Sequence, residues 1–299
     1  MTTAPLCLYH AHCSDGLAAA WAVKSALPDA EFVPVRYGEP PVDPRGRDVI
    51  IVDFSYKRED LRVLAVTARS VLVLDHHKTA REELVGLMPP FTCWMDWMLY
   101  IKQNPELPAM SRVRATFDME RSGAGLAWDY FHPGEPRPWA IDRVEDRDLW
   151  RFKLDFSREV NAVIASYPDH DLDAFARVVY RGSWENARPY LLQEGEAILR
   201  KQLRDLENLL PLARRAIIRG FNVPILNCPL WLASEAGNRL SVGEPFSATY
   251  FDGSDKRGFS LRSQRGAVDV SAVAKLYGGG GHENAAGFSA ELGWLGDAT

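Results

Sequence analysis

Short, unbroken apolar runs recur through the first third of the chain. PLCLY (5–9), DVIIV (48–52) and VLVL (71–74) are apolar at nearly every position and rich in branched side chains. That pattern predicts strands buried on both faces. EFVPVR (31–36) and VRATF (113–117) read as two further strands. Between the runs the spacing lengthens to helical intervals, at 17–27 and about 56–69, and again at 126–131. Strands alternating with helices predict an α/β fold built on a parallel sheet.

Farther along, 171–180 and 185–215 read as helices, the second long, charged and heptad-like. Its expected use is as a connector. A second α/β pattern follows. AIIRGFNVPILNC gives two strands and LWLASEAGNRL a helix. PFSATYFD and RGFSLRS form an antiparallel pair, and VDVSAVAKLY a last helix before GGGGHENAAGFSA. The expected organisation is a parallel-sheet domain over 1–182, a linker helix over 183–213 and a smaller α/β domain with a mixed sheet over 214–299. The segment 89–110 is aromatic, Met-rich and broken by proline. It reads as a packed insertion, with a lid or a base-stacking platform as the alternative.

The chemistry gathers where strands stop. Asp75, His76 and His77 follow the run at 71–74, Asp53 follows 48–52, and His10 follows 5–9 with His12, Cys13 and Asp15 close behind. Each has a plain structural explanation: Ser14 or Asp15 can cap the helix at 17–27, and histidines suit polar turns. But carboxylates and imidazoles at three strand ends are the donor types divalent transition metals prefer, and open α/β sheets bind ligands outside the carboxyl ends of their strands. A metal site is therefore expected. ERSGAG (120–125) puts small residues at a helix start, leaving backbone amides open to an anion. Of Asp142, Asp146 and Asp148, one is expected to reach the site. Near the end, Gly278, Gly279, Gly280 and Gly281 followed by His282 suggest backbone brought close to a phosphate, with Arg262 as a bidentate clamp. No Lys-Ser/Thr follows, so this is not a Walker loop.

Composition narrows the reading. A net charge of −5 argues against a broad basic surface coating long nucleic acid. The four cysteines lack metal-knuckle spacing. No apolar run approaches the roughly 18 residues of a membrane span, and no secretory signal is visible, so a cytoplasmic protein without a membrane partner is expected.

Taken together, HCSDG, VDFS, LDHHK, SLRS and GGGGHENAAGF, in that order across nearly the whole chain, resemble the DHH phosphoesterase superfamily in its two-domain form with a carboxy-terminal DHH-associated domain. That family includes RecJ-like exonucleases, nanoRNases, cyclic dinucleotide phosphodiesterases, exopolyphosphatases and family II pyrophosphatases. The resemblance implies two divalent ions, usually manganese, with magnesium or zinc as alternatives. It implies Asp15 and His76 as ligands, with His10 beside them, and Asp53 bridging both ions. Asp75 would support the site and His77 would face the substrate phosphate. A further carboxylate would come from EDRDLW, Asp146 first and Asp148 as its competitor. Cys13 departs from the family pattern, which places an aspartate there; either it serves as a thiolate ligand, favouring softer ions such as zinc, or the first metal is weakly held. The expected activity is metal-dependent hydrolysis of short single-stranded oligonucleotides or of linear or cyclic dinucleotides. The alternatives are a pyrophosphatase or polyphosphatase, and a nucleotide-binding regulator with a degenerate centre. RNA or DNA preference, polarity of attack and oligomeric state, a homodimer among the options, stay open.

Overall fold

The computed structural model describes residues 3–87, 91–168, 171–179 and 182–297. The chain divides into two compact units, 1–199 and 200–299. The division falls inside the helix expected to be the connector.

In the first unit, β1 (Leu6–His10) leads through α1 (Ser14–Ala26) to β2 (Glu31–Val35), and β3 (Asp48–Val52) through α2 (Arg58–Thr67) to β4 (Ser70–Asp75). There follow α3 (Lys78–Glu83), α4 (Trp94–Gln103), β5 (Val113–Phe117), α5 (Gly123–Phe131), α6 (Trp139–Asp148), α7 (Ser157–Ile164), α8 (Leu172–Val179) and the 26-residue α9 (Trp184–Leu209). The five strands are all parallel, in the order β2-β1-β3-β4-β5. The chain steps outward from β1 to β2 and returns on the other side of β1. The β1/β3 boundary is therefore a topological switch point, where loops leave in opposite directions and open a crevice.

The continuous apolar runs divide cleanly between the two faces. Cys7, Tyr9, Ile50, Val52, Leu72 and Leu74 face the layer containing α1, α5 and α6. Leu6, Leu8, Val49, Ile51, Val71 and Val73 face the layer containing α2. Burial on both sides is what lets these strands dispense with polar positions until they end. The register then sets the ends level: Tyr9 pairs with Val52, and Val52 with Leu74, so His10, Asp53 and Asp75 come at the same height.

The segment expected to be a packed insertion contributes α4, with Trp94, Trp97 and Ile101 buried. Trp97 packs on Phe91 and Tyr100, and Trp94 on Phe131. Trp94 and Trp97 are core and offer no face to a base. Pro89, Pro90 and Tyr180, which fell within expected elements, lie outside the described residues. Among the described residues no helix is long and apolar enough to cross a membrane.

The second unit holds β6 (Arg214–Ile218), β7 (Phe221–Asn227), α10 (Ala233–Leu240), β8 (Ser247–Asp252), β9 (Lys256–Arg262), α11 (Val270–Lys275), β10 (Gly280–His282) and β11 (Ala285–Glu291). They form a mixed sheet in the order β10-β11-β9-β8-β7-β6, with β7–β8 its parallel pair. Its core gathers Phe246, Phe259, Leu261, Val273 and Phe288.

Candidate metal centre

Asp53 sits just past β3 in the left-handed region, at φ 53°. Asp tolerates this conformation better than most residues, but it remains strained. Its backbone N–H is fixed by the Leu74 carbonyl at 3.0 Å. This geometry turns a fully buried carboxylate between two imidazoles. Oδ1 lies 3.2 Å from His76 Nε2, and Oδ2 lies 3.4 Å from His10 Nδ1.

His76 also lies 3.7 Å from Asp15 Oδ2 and 3.5 Å from Asp148 Oδ2. Asp53 is therefore common to three donor sets, one of them with Asp75 and His77. His10, Cys13 and Asp53 have ligand-type atoms within 4.8 Å of one another, and so do Asp15, Asp53 and His76. Alongside them, Asp75 accepts from His77 Nδ1 at 2.7 Å, from the His76 amide at 2.7 Å and from Ser55 Oγ at 2.6 Å.

The electrostatics are those of a cage built for cations. Burial pushes the Asp53 carboxyl up, but the His10 and His76 imidazoles outweigh it and hold it well below the usual range. Burial, with the charges of Asp53 and Asp148, pushes Asp15 well up. Burial and Asp53 also push Asp148 up, against the pull of His76. Burial acts against a charged His76, yet Asp53, Asp148 and Asp15 raise it well above the ordinary value. Burial raises the Cys13 thiol, and so do the surrounding carboxylates; it becomes a thiolate only if a cation offsets that charge. Among the described residues, His10 Nδ1 and Asp53 Oδ2 are buried, face each other and have no hydrogen-bond partner. Such orphaned atoms are costly, and a cation between them would satisfy both. The donor set fits divalent metal.

Asp15 is not a helix cap. The N-cap of α1 is Cys13, and its side chain makes no capping bond. The Asp15 carboxylate instead accepts the Gly123 and Ala124 amides of α5, at 2.6 and 3.0 Å. The helix start expected to hold an external anion thus holds Asp15 itself, using its positive end to steady a buried charge. A Cβ at Gly123 would fall 2.5 Å from Asp53 Cβ and 2.9 Å from Asp15 Oδ2, so this helix approaches the cluster only because that side chain is absent. Glu145 on α6 anchors the same turn, accepting from the Ser122 amide and from Arg137.

No family model matches the sequence. Protein R106 of Acanthamoeba polyphaga mimivirus is 27% identical over 322 aligned residues, covering 94% of this chain and 66% of its own. This chain thus spans about two thirds of that relative's length. Among solved structures, the DHH domain of a member of the s1p family of ribosomal proteins superposes with a TM-score of 0.52. That pair is 14% identical, with 95% of this chain and 82% of the other covered. Exonuclease RecJ bound to manganese superposes at 0.50 and 17% identity, covering 97% and 86%. The chain has the DHH-superfamily fold. RecJ from Thermus thermophilus in complex with manganese gives 0.50 at 16% identity, with 97% of this chain and 50% of that one covered.

Within this DHH fold, His10, Cys13, Asp15, Asp53, Asp75, His76 and His77 come together as the sequence suggested. Asp146 does not. Its carboxylate is buried and committed, accepting the Lys153 and Leu154 amides at 2.8 and 3.0 Å and Ser157 Oγ at 2.5 Å. It pins the turn into α7, and Asp148, one residue pair along α6, stands at His76 in its place.

The glycine run leads into a strand: Gly280–His282 pairs with β11. A Cβ at Gly279 would strike the Gly287 carbonyl, and Gly281, at φ 137°, lies against Ala285 and Ala286. Close pairing within the hairpin accounts for Gly279 and Gly281, and a φ of 79° for Gly278. Arg262 is held rather than open: its Nη1 donates to Ser260 Oγ and the Leu261 carbonyl, and its Nη2 to Ser234 Oγ, each at 2.8 Å. Residues the sequence did not single out include Ser55 and Glu145, already inside VDFS and EDRDLW, and Tyr37, for which no motif gave a signal.

Proposed function

We propose that this chain is a divalent-metal-dependent phosphoesterase acting on short single-stranded oligonucleotides or on linear or cyclic dinucleotides. The observation that carries the reading is Asp53, whose two oxygens face different imidazoles, His10 and His76, each in a donor set of its own. Bound there, a pair of divalent ions would supply a water nucleophile at neutral pH and offset charge on the phosphoryl oxygens. His10, Cys13 and Asp53 would hold one ion, and Asp15, Asp53, His76 and Asp148 the other. RecJ, which shares the fold, was solved with manganese, which supports that metal.

The protein's own groups then have distinct tasks. Asp75 fixes the orientation of His77 through Nδ1, which leaves Nε2 as the nitrogen to meet a phosphoryl oxygen. Burial opposes a charged His77, but Asp75 prevails and raises it, so the imidazolium donor persists to higher pH than in a free histidine. The strained backbone at Asp53 and the α5 amides on Asp15 fix the carboxylates before substrate arrives, which is the condition for effective electrostatic stabilisation.

A substrate panel tests this. Purified protein with manganese is expected to release mononucleotides from di- to pentanucleotides or to open a cyclic dinucleotide, and a chelator to abolish the activity. Turnover of pyrophosphate or polyphosphate alone would move the assignment to the inorganic branch. Cys13 predicts the metal preference. Replacing it by aspartate (Cys13→Asp) should shift relative activity from zinc towards manganese, measured as the ratio of kcat/KM with each ion. An unchanged ratio would remove Cys13 from the ligand set.

A further inference from the structure

The turn after β2 places an aromatic ring at the mouth of the cluster. Tyr37 is 54% exposed. Its ring centroid lies 4.6 Å from Phe54, which is itself 1% exposed and sits directly after Asp53. His10 meets the ring edge-on at 5.4 Å and His77 at 6.1 Å. The hydroxyl end lies inward at the Ser55 backbone, where burial and the charges of Asp75 and Asp53 push it well up. The turn is pinned by the Arg36 amide, which donates to Glu39 at 3.1 Å, and the Arg36 guanidinium reaches His12.

The ring is thus fixed behind and at its edges while its surface stays open to solvent. A large exposed aromatic in a single orientation is wasted as packing, but it suits a flat apolar ligand, since stacking on a rigid ring loses little entropy. We infer that Tyr37 is the stacking platform for the nucleobase of the nucleotide whose phosphate enters the metal centre. This rests on the phosphodiesterase reading above and gives it a substrate class, because an inorganic phosphate has no base to place there. His10 and His77 flank both the ring and the donor sets, so one nucleotide can reach both.

The test compares a ligand carrying a base with one lacking it. AMP and ribose 5-phosphate are titrated calorimetrically, with manganese present, into wild type, Tyr37→Leu and Tyr37→Trp. Wild type is expected to bind AMP roughly tenfold or more tightly than ribose 5-phosphate, the range of one base–aromatic stack. Tyr37→Leu should lose that preference while keeping its affinity for ribose 5-phosphate, and Tyr37→Trp should retain it. Equal binding of the two ligands by wild type would overturn the inference. So would a preference that survives in Tyr37→Leu, or an equal loss for both ligands, which would mark the ring as a mere shield over the metals. Dinucleotide cleavage by wild type is scored separately: a base preference without cleavage would sustain Tyr37 and sink the catalytic assignment.

Discussion

Asp53→Asn is expected to lower manganese-dependent turnover of a dinucleotide by roughly 10³-fold or more, the factor for several kcal/mol of lost charge stabilisation. Asparagine is the informative replacement because it keeps both the volume and the tolerance of positive φ that this position requires. What it removes is the charge the two proposed ion sites share. Manganese should also raise the melting temperature of wild type, since a ligand held at about 100 times its Kd adds roughly 2.7 kcal/mol to the folded state. In Asp53→Asn that shift should largely vanish. The effect should weaken in acid for wild type too: Asp15 and Asp148, both raised, take up protons before an ordinary carboxylate would, and must be ionised to bind metal. Full turnover in Asp53→Asn would mean that the shared carboxylate has no part in the chemistry.

Two neighbouring aspartates should separate cleanly. Asp148→Asn is expected to cut kcat/KM on the order of 100-fold with little change in metal-free stability, because its carboxylate faces His76. Asp146→Asn should do the reverse. It weakens the acceptor for two amides and a hydroxyl, costing about 1–3 kcal/mol of stability with activity nearly retained. The pH dependence has a definite sign. Burial pushes Asp146 up, but the Ser157, Lys153 and Leu154 donors prevail and hold it below the usual range. Its contribution is therefore complete above the unfolded-state value of about 3.9 and is lost as pH falls through the lower folded value. Urea midpoints across that window should converge for wild type and Asp146→Asn. If Asp146→Asn instead abolishes activity at unchanged stability, the assignment of the two aspartates is reversed.

This pair shows where sequence reading stops. Strands β1, β3 and β4 and their polar ends were legible because burial on both faces forces unbroken apolar runs, and the first polar residue marks the strand's end. On α6, however, residues two apart point about 200° from each other, and nothing in EDRDLW says which direction is inward. Only the packing of α6 against α5 and α7 decides it. The partner of the α5 amides was unreadable for a similar reason: the anion they hold is Asp15, more than a hundred residues earlier in the chain. The glycine run was ambiguous because chain entropy is the same whether the cause is a ligand or a close β-pair; at Gly279 and Gly281 it is the pairing with Gly287 and Ala286 of β11. Tyr37 carried no motif, since its meaning lies in Phe54, His10 and His77 gathering around it.

The claim that Asp53 is shared by two cation sites is tested most directly by counting ions. Protein equilibrated with excess manganese, then desalted and assayed by elemental analysis beside Asp53→Asn, should retain two ions per chain in wild type and at most one in the variant. No retained ion in wild type, or two in Asp53→Asn, would contradict it.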